Sequence, residues 1–277
     1  MNLPPEFEFS QTNLQDYLEC RQRFLLRYLK QVAWPALAVD APQEFERHIQ
    51  RGNRFHRLAQ QTLLGLPPDR LSQMAAASND KDLQAWWDNF TRFMPEVPEG
   101  ERYIEHALVM PFAGSRLVAK YDLLVVQPGN RVTIYDWKTS RKAPTRSWLS
   151  ARLQTRLYPF LLVQAGAHIN HGASILPAQI EMIYWIASAP TQPVRFPYSQ
   201  AQFEQDQAFL AGLVHEVQAL PEASFELTPE TDRCRFCVYR SLCDRGAEAG
   251  SQEDYEQEAE PGNSLDFDFD QIAEVKF

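Results

Sequence analysis

Ile134-Tyr135-Asp136-Trp137-Lys138 is a short apolar stretch that sets an acid and a base at alternate positions. The strand period of two sends Asp136 and Lys138 to one face and Tyr135 and Trp137 to the other. The stretch closes a segment that reads as sheet throughout. Arg102 to Pro111, Leu117 to Val126 and Val132 to Trp137 are rich in Val, Ile, Leu and Tyr, and the turn signals Ala113-Gly114-Ser115 and Pro128-Gly129-Asn130 separate them. Three antiparallel strands in a meander are predicted. A hairpin between the last two would bring Asp122, in Tyr121-Asp122-Leu123-Leu124, beside Asp136.

Helical patterns lie on both sides of this segment. Ser10 to Lys30 places Leu14, Tyr17, Leu18, Leu25 and Leu29 near helical spacing, with Ser10 as N-cap. From about Ala41 to Pro95 the text is helical again: Phe45 to Leu64 is broken by Gly65, Pro67 and Pro68, and Lys81 to Phe93 follows with Trp86, Trp87 and Phe90. After the Asp136 strand, Ser147 to Ala165 predicts a helix, Ala178 to Ala187 a fourth strand that extends the sheet, and Tyr198 to Leu220 a last helix. The expected fold class is α/β, a central mixed sheet flanked by helices with a helical insertion. One domain is expected over 1–245, with the helical elaboration at about 41–98 and the core at about 100–220. An acidic tail of low apolar content, 246–277, reads as disordered.

The 277 residues are 44% hydrophobic, enough for one substantial core. No eighteen consecutive residues are apolar, so no membrane partner is expected. The start of the chain has no basic region ahead of an apolar run, and a cytoplasmic location is predicted. The formal charge of −9 argues against a polyanionic partner until it is located. Ten acids against one base, Lys276, fall within 246–277, which leaves 26 of each sign in the body. A neutral body can carry a basic groove, so nucleic acid stays open as a partner.

Two carboxylates on rigid strands suit Mg2+ or Mn2+, which prefer oxygen ligands and retained water. A bound ion can polarise a phosphate and lower the pKa of a water, while a lysine orients that water or stabilises developing negative charge. An isolated D-x-K is more often a solvated strand face, so the ensemble carries the reading. Gln154 and Tyr158 stand at i and i+4 on the helix after the D-x-K strand and can face the same groove. Asp122, Asp136-Trp137-Lys138 and Gln154-x-x-x-Tyr158 together resemble the RecB-like branch of PD-(D/E)XK nucleases, whose motifs read G-x-x-D, D-x-K and Q-x-x-x-Y. Gly52-Asn53-Arg54-Phe55-His56 is similar to that branch's upstream G-x-x-x-H. The resemblance implies catalytic Asp122, Asp136, Lys138, Gln154 and Tyr158, a metal held by His56, Asp122 and Asp136, and Glu105 as an accessory acid. Ala119 stands where the branch usually has glycine.

Three of the four cysteines fall in Cys234-x2-Cys237-x5-Cys243, and Cys20 lies near the other end. Such a thiol cluster reads as a metal site, and four thiolates hold either zinc or an iron-sulfur cluster. Spacing alone does not choose. The segment from Phe9 to Phe24 is similar to the helix carrying the first cysteine in iron-sulfur RecB-like nucleases, including AddB and CRISPR-adaptation nucleases, although Arg21 stands where proline often follows that cysteine. This resemblance implies a [4Fe-4S] cluster on Cys20, Cys234, Cys237 and Cys243, with zinc as the alternative. Arg141, Lys142, Arg146, Arg152 and Arg156 flank the D-x-K strand and the Gln154 helix and are expected to meet DNA phosphates.

The function so implied is metal-dependent cleavage of DNA, exonucleolytic on single strands or ends, in repair, recombination or defence. No Walker loop is present, so unwinding would need a helicase or repair partner. The alternatives are a non-catalytic DNA-binding or scaffold module and a CRISPR spacer-processing nuclease.

Overall fold

In a computed structural model, the described residues are 3–4, 7–32, 42–140 and 142–246; Ala41, Arg141 and residues 247–277 lie outside them. Six strands form one mixed sheet: β1 (Glu8–Ser10), β2 (Glu101–Phe112), β3 (Ser115–Gln127), β4 (Arg131–Lys138), β5 (Ile180–Ile186) and β6 (Val194–Pro197). Gly114 and Gly129 reverse the chain between β2, β3 and β4 with φ of +77° and +71°, a conformation that costs glycine little because it has no Cβ. β2 pairs antiparallel along β3. On the opposite edge of β3, β1 runs parallel over Arg116 to Val118 and β4 antiparallel over Leu123 to Gln127. Between those two partners the edge of β3 opens into a fork at residues 119–122. Parallel β5 then joins β4, and antiparallel β6 ends the order β1-β3-β4-β5-β6.

Helices cover both faces. On one lie α1 (Gln11–Glu19), α2 (Arg21–Phe24), α6 (Arg146–Ala151), α7 (Leu153–Ala165) and α8 (Gln200–Ala219). Their core includes Phe9, Leu14, Phe24, Tyr121, Leu124, Ile134, Leu157 and Phe160. On the other lie α3 (Pro42–Leu63), α4 (Pro68–Ala77) and α5 (Lys81–Phe93). Here Phe55, Trp86, Trp87 and Phe90 pack on Leu123, Trp137 and Trp185. Among the described residues, no helix is long and apolar enough to cross a membrane.

The structure adds the short strands β1 and β6 to the four expected, and two expected helices are broken. The predicted helix from Ser10 to Lys30 starts as read, with Ser10 and Asn13 forming a reciprocal cap, but breaks at Cys20, which is extended at φ −161° and ψ 107°. The break turns α2 back so that Arg23 and Arg27 reach Asp16 at 2.8 and 3.2 Å. The helix predicted over 147–165 likewise breaks at Arg152, whose ψ is 139°. Gly65, Pro67 and Pro68 break the helix as read, α3 ending at Leu63, and Pro68 also opens α4, because proline fits the first helical turn, whose N–H groups need no intrahelical acceptor.

Candidate active site

Lys138 ends β4, and its ammonium nitrogen lies 2.9 Å from Oδ1 of Asp136 on the same strand face. It also donates to Oε1 of Gln154, at the start of α7, at 2.9 Å. Gln154 Nε2 donates back to Asp136 Oδ2, so acid, base and amide close a ring. All three are at least 95% buried. The Lys138 ammonium also stands over the Tyr184 ring, 5.4 Å from its centroid, where the π face favours a cation. Tyr184 is directly opposite Asp136 in the β4–β5 register. The strand is a near-continuous apolar run buried on both faces, so no sequence signal singled Tyr184 out.

Asp122 occupies the fork. The β3–β4 ladder ends at Leu123 and Tyr135, and one position further the Asp122 carboxylate, not a backbone carbonyl, accepts the N–H of Trp137 at 2.8 Å. Side-chain alternation slips by one here: Tyr121 and Leu124 belong to the first core, whereas Leu123 and Val125 belong to the second. Opposite Asp122, Glu105 has φ of +50°, a left-handed conformation that costs a non-glycine residue about 1–3 kcal/mol. The effect is to gather Glu105 and Asp122 with His56 of α3, their ligand atoms all within 4.8 Å of one another. Ala119 keeps its place in the ladder opposite Leu108, so the usual glycine is not required there.

These groups could hold a divalent ion. His56 Nδ1 is 3.5 Å from Asp122 Oδ1, while its buried Nε2 has no hydrogen-bond partner among the described residues. An imidazole nitrogen gathered with two carboxylates is a donor set that a cation satisfies. Burial opposes charge on His56, but Asp122, Glu105 and Asp136 outweigh it and hold its pKa above the ordinary histidine value. Burial likewise works against the Asp122 carboxylate, and His56, the Trp137 N–H and Lys138 bring its pKa down. Glu105 goes the other way, raised by burial and by Asp122 although Lys120 pairs with it at 2.7 Å.

Tyr158 packs its ring on Tyr121 at 4.9 Å and accepts that residue's hydroxyl on its backbone carbonyl, one residue from Asp122. The basic residues divide. Lys142 is exposed, and Arg141 lies outside the described residues. Arg146 stacks on Phe196 and donates to the Arg195 carbonyl. Arg152 pairs with Glu19 at 2.9 Å and stacks on Trp148. Arg156 pairs with Asp206 and stacks on Phe209. The pairing partners Glu19 and Asp206 carry no motif, so sequence gave no sign that Arg152 and Arg156 are engaged within the fold.

The cysteines come together from the two ends of the described chain, and none is in a disulfide. Burial and then the neighbouring thiols push Cys243 up to about 11. Burial is also the main cause of the raised pKa of Cys234, with Cys20 adding to it, and of Cys237, with Cys20 and Cys234 adding. Among the described residues, no three thiols lie within 4.8 Å of one another.

A mixed α/β sheet whose central fork gathers acids, a lysine and a glutamine has the architecture of the nuclease folds. The sequence model of the PD-(D/E)XK nuclease superfamily matches residues 8–244, and the chain belongs to that superfamily. Among solved structures, the chain is similar to SSO0001 at 9% identity and a TM-score of 0.42, over 87% of this chain and 88% of that one. It is also similar to a candidate exonuclease from Eubacterium rectale at 10% identity and a TM-score of 0.45, over 83% and 88%. No curated protein matches it.

Proposed function

We propose that the protein is a divalent-metal-dependent deoxyribonuclease of the RecB-like branch, acting on single strands or DNA ends. The observation that carries the reading is the closed ring of Asp136, Lys138 and Gln154 beside the His56, Glu105 and Asp122 group. His56, Asp122 and Asp136 would hold Mg2+ or Mn2+, with Glu105 as the accessory acid. The ion, when bound, polarises the scissile phosphate and makes a bound water more acidic. Lys138 orients that water or meets the charge developing on the phosphate. Gln154 fixes Lys138 and Asp136 relative to one another, and Tyr158 packs behind Asp122. Lys142, with Arg141 and Arg146, would meet flanking phosphates; unwinding would fall to a partner protein.

Cys20, Cys234, Cys237 and Cys243 are proposed to hold a [4Fe-4S] cluster. Four free thiolates suit either zinc or the cluster, and the likeness of the Cys20 helix to iron-sulfur nucleases favours the cluster. Protein purified without oxygen should be brown and contain iron; one zinc in a colourless protein would remove the cluster. The activity is tested by digesting end-labelled DNA with Mg2+ or Mn2+, comparing wild type with Lys138→Ala and Asp136→Ala. Loss of cleavage in both variants supports the reading, and equal cleavage by all three proteins, or none by any, refutes it.

A further inference from the structure

The helix that carries Gln154 is held at its start by another part of the chain. Its N-cap residue, Arg152, makes no side-chain cap bond. The first helical N–H, that of Leu153, donates instead to Oε1 of Gln15 on α1 at 3.0 Å. The first N–H groups of a helix have no intrahelical acceptor, so Gln15 supplies across the fold what a local serine or aspartate usually supplies. Gln15 is itself oriented by Glu19, whose Oε1 accepts its Nε2 at 3.0 Å. The same Oε1 accepts Arg152 at 2.9 Å and lies 3.6 Å from Arg233, while Oε2 takes Arg23.

Glu19 directly precedes Cys20, and Arg233 directly precedes Cys234. One carboxylate therefore joins both cysteine-bearing segments to the two residues immediately before Gln154. The ties through Gln15 and Arg152 are short and directional, whereas the Arg233 contact is a longer ion pair at 3.6 Å. A displacement of α7 by an ångström would carry the 2.9 Å bond from Lys138 to Gln154 beyond hydrogen-bond range.

We propose that Gln15 and Arg152 are positioning residues that set Gln154 against Asp136 and Lys138, and that Glu19 makes this placement depend on the state of the four-cysteine site. The proposal rests on the nuclease reading for its effect on turnover. The contacts themselves do not depend on that reading.

The test uses the full chain with its thiol site loaded, saturating Mn2+ and end-labelled DNA. Gln15→Ala should lower kcat by about ten- to a hundred-fold, the scale of an ångström misplacement, with KM changed less than about two-fold. Arg152→Lys, which keeps the charge and loses the fork geometry, should lose less, and it serves if Gln15→Ala does not fold. Because Gln15 acts through Gln154, the double variant Gln15→Ala/Gln154→Ala should be no slower than Gln154→Ala, whereas a merely structural role would multiply the two losses. Amide hydrogen exchange across 152–157 should quicken in Gln15→Ala, and also in wild type after a chelator strips the thiol-bound metal.

Wild-type kcat and exchange in both single variants, multiplied losses in the double, or unchanged exchange on stripping overturns the proposal. An inactive wild type overturns the nuclease reading instead, and leaves the exchange measurement to decide the coupling.

Discussion

Lys138→Met separates what the buried lysine does for stability from what it does for turnover. The side chains of Lys138 and Asp136 are 6% and 7% exposed and 2.9 Å apart, so the substitution takes the Lys138 charge away from a buried carboxylate. Removing one partner of a buried pair costs about 3–5 kcal/mol, since the remaining charge keeps its desolvation penalty. For a chain of this size each kcal/mol moves Tm by about 2–4 °C, so a fall of about 6–20 °C is expected in metal-free buffer. Mn2+ should recover part of it, because an ion at a hundred times its Kd adds about 2.7 kcal/mol. Asp136→Asn/Lys138→Met should recover much of the rest, having no buried charge to compensate. Neither recovery should restore DNA cleavage. Thermal melts with and without Mn2+ make the measurement. A Lys138→Met protein that melts with wild type, or a double variant less stable than Lys138→Met, would refute the claim that the pair's charges compensate one another.

The raised pKa of His56 gives a pH dependence of fixed sign. Its cation contributes stability fully below the ordinary value of 6.5 and loses it as pH rises through the higher folded value; metal-free melts of wild type should show this slope and His56→Gln should not. Metal binding needs the neutral ring, so the Mn2+ concentration for half-saturation should instead rise as pH falls. Asp80 caps α5 through the N–H groups of Asp82 and Leu83 and pairs with Arg51 at 2.7 Å. Asp80→Ala should cost about 1–2 kcal/mol at pH 7 by loss of the cap. Burial opposes its ionisation, but Arg51 and the two N–H groups depress its pKa. The gap between wild type and variant is therefore full above 3.8 and closes as pH falls through the lower folded value; urea melts across pH 3 to 7 check it. Removing 247–277 takes away ten acids and Lys276. DNA affinity should rise at low salt, and the gain should fade as the Debye length shrinks to about 8 Å at 0.15 M; titrations giving equal affinity at low salt would show that the tail does not compete.

Asp136 and Lys138 share a face by the strand period of two, whereas Gln154 is read from its i, i+4 spacing to Tyr158 and from the resemblance, on a helix expected from 147 that the structure starts at Leu153. The gathering of His56, Glu105 and Asp122 depends on a different kind of event. In a regular ladder Tyr121 and Leu123 would share a face; the slip at Asp122 puts Leu123 on the other side with Val125. The left-handed Glu105 opposite it is not a residue that favours positive φ, so no local pattern announces the irregularity. β1 was missed for a related reason: three residues, Glu8–Ser10, are too few to show alternation, and the strand exists because β3 offers an unpaired edge below the fork. That same short strand delivers Ser10 to cap α1, and α1 delivers Gln15 to α7. The fork that admits Asp122 thus also makes room for the element that leads to the cap on the Gln154 helix. A site assembled this way has its acids set by the sheet and its glutamine set from the opposite end of the chain. Its geometry is consequently sensitive to both.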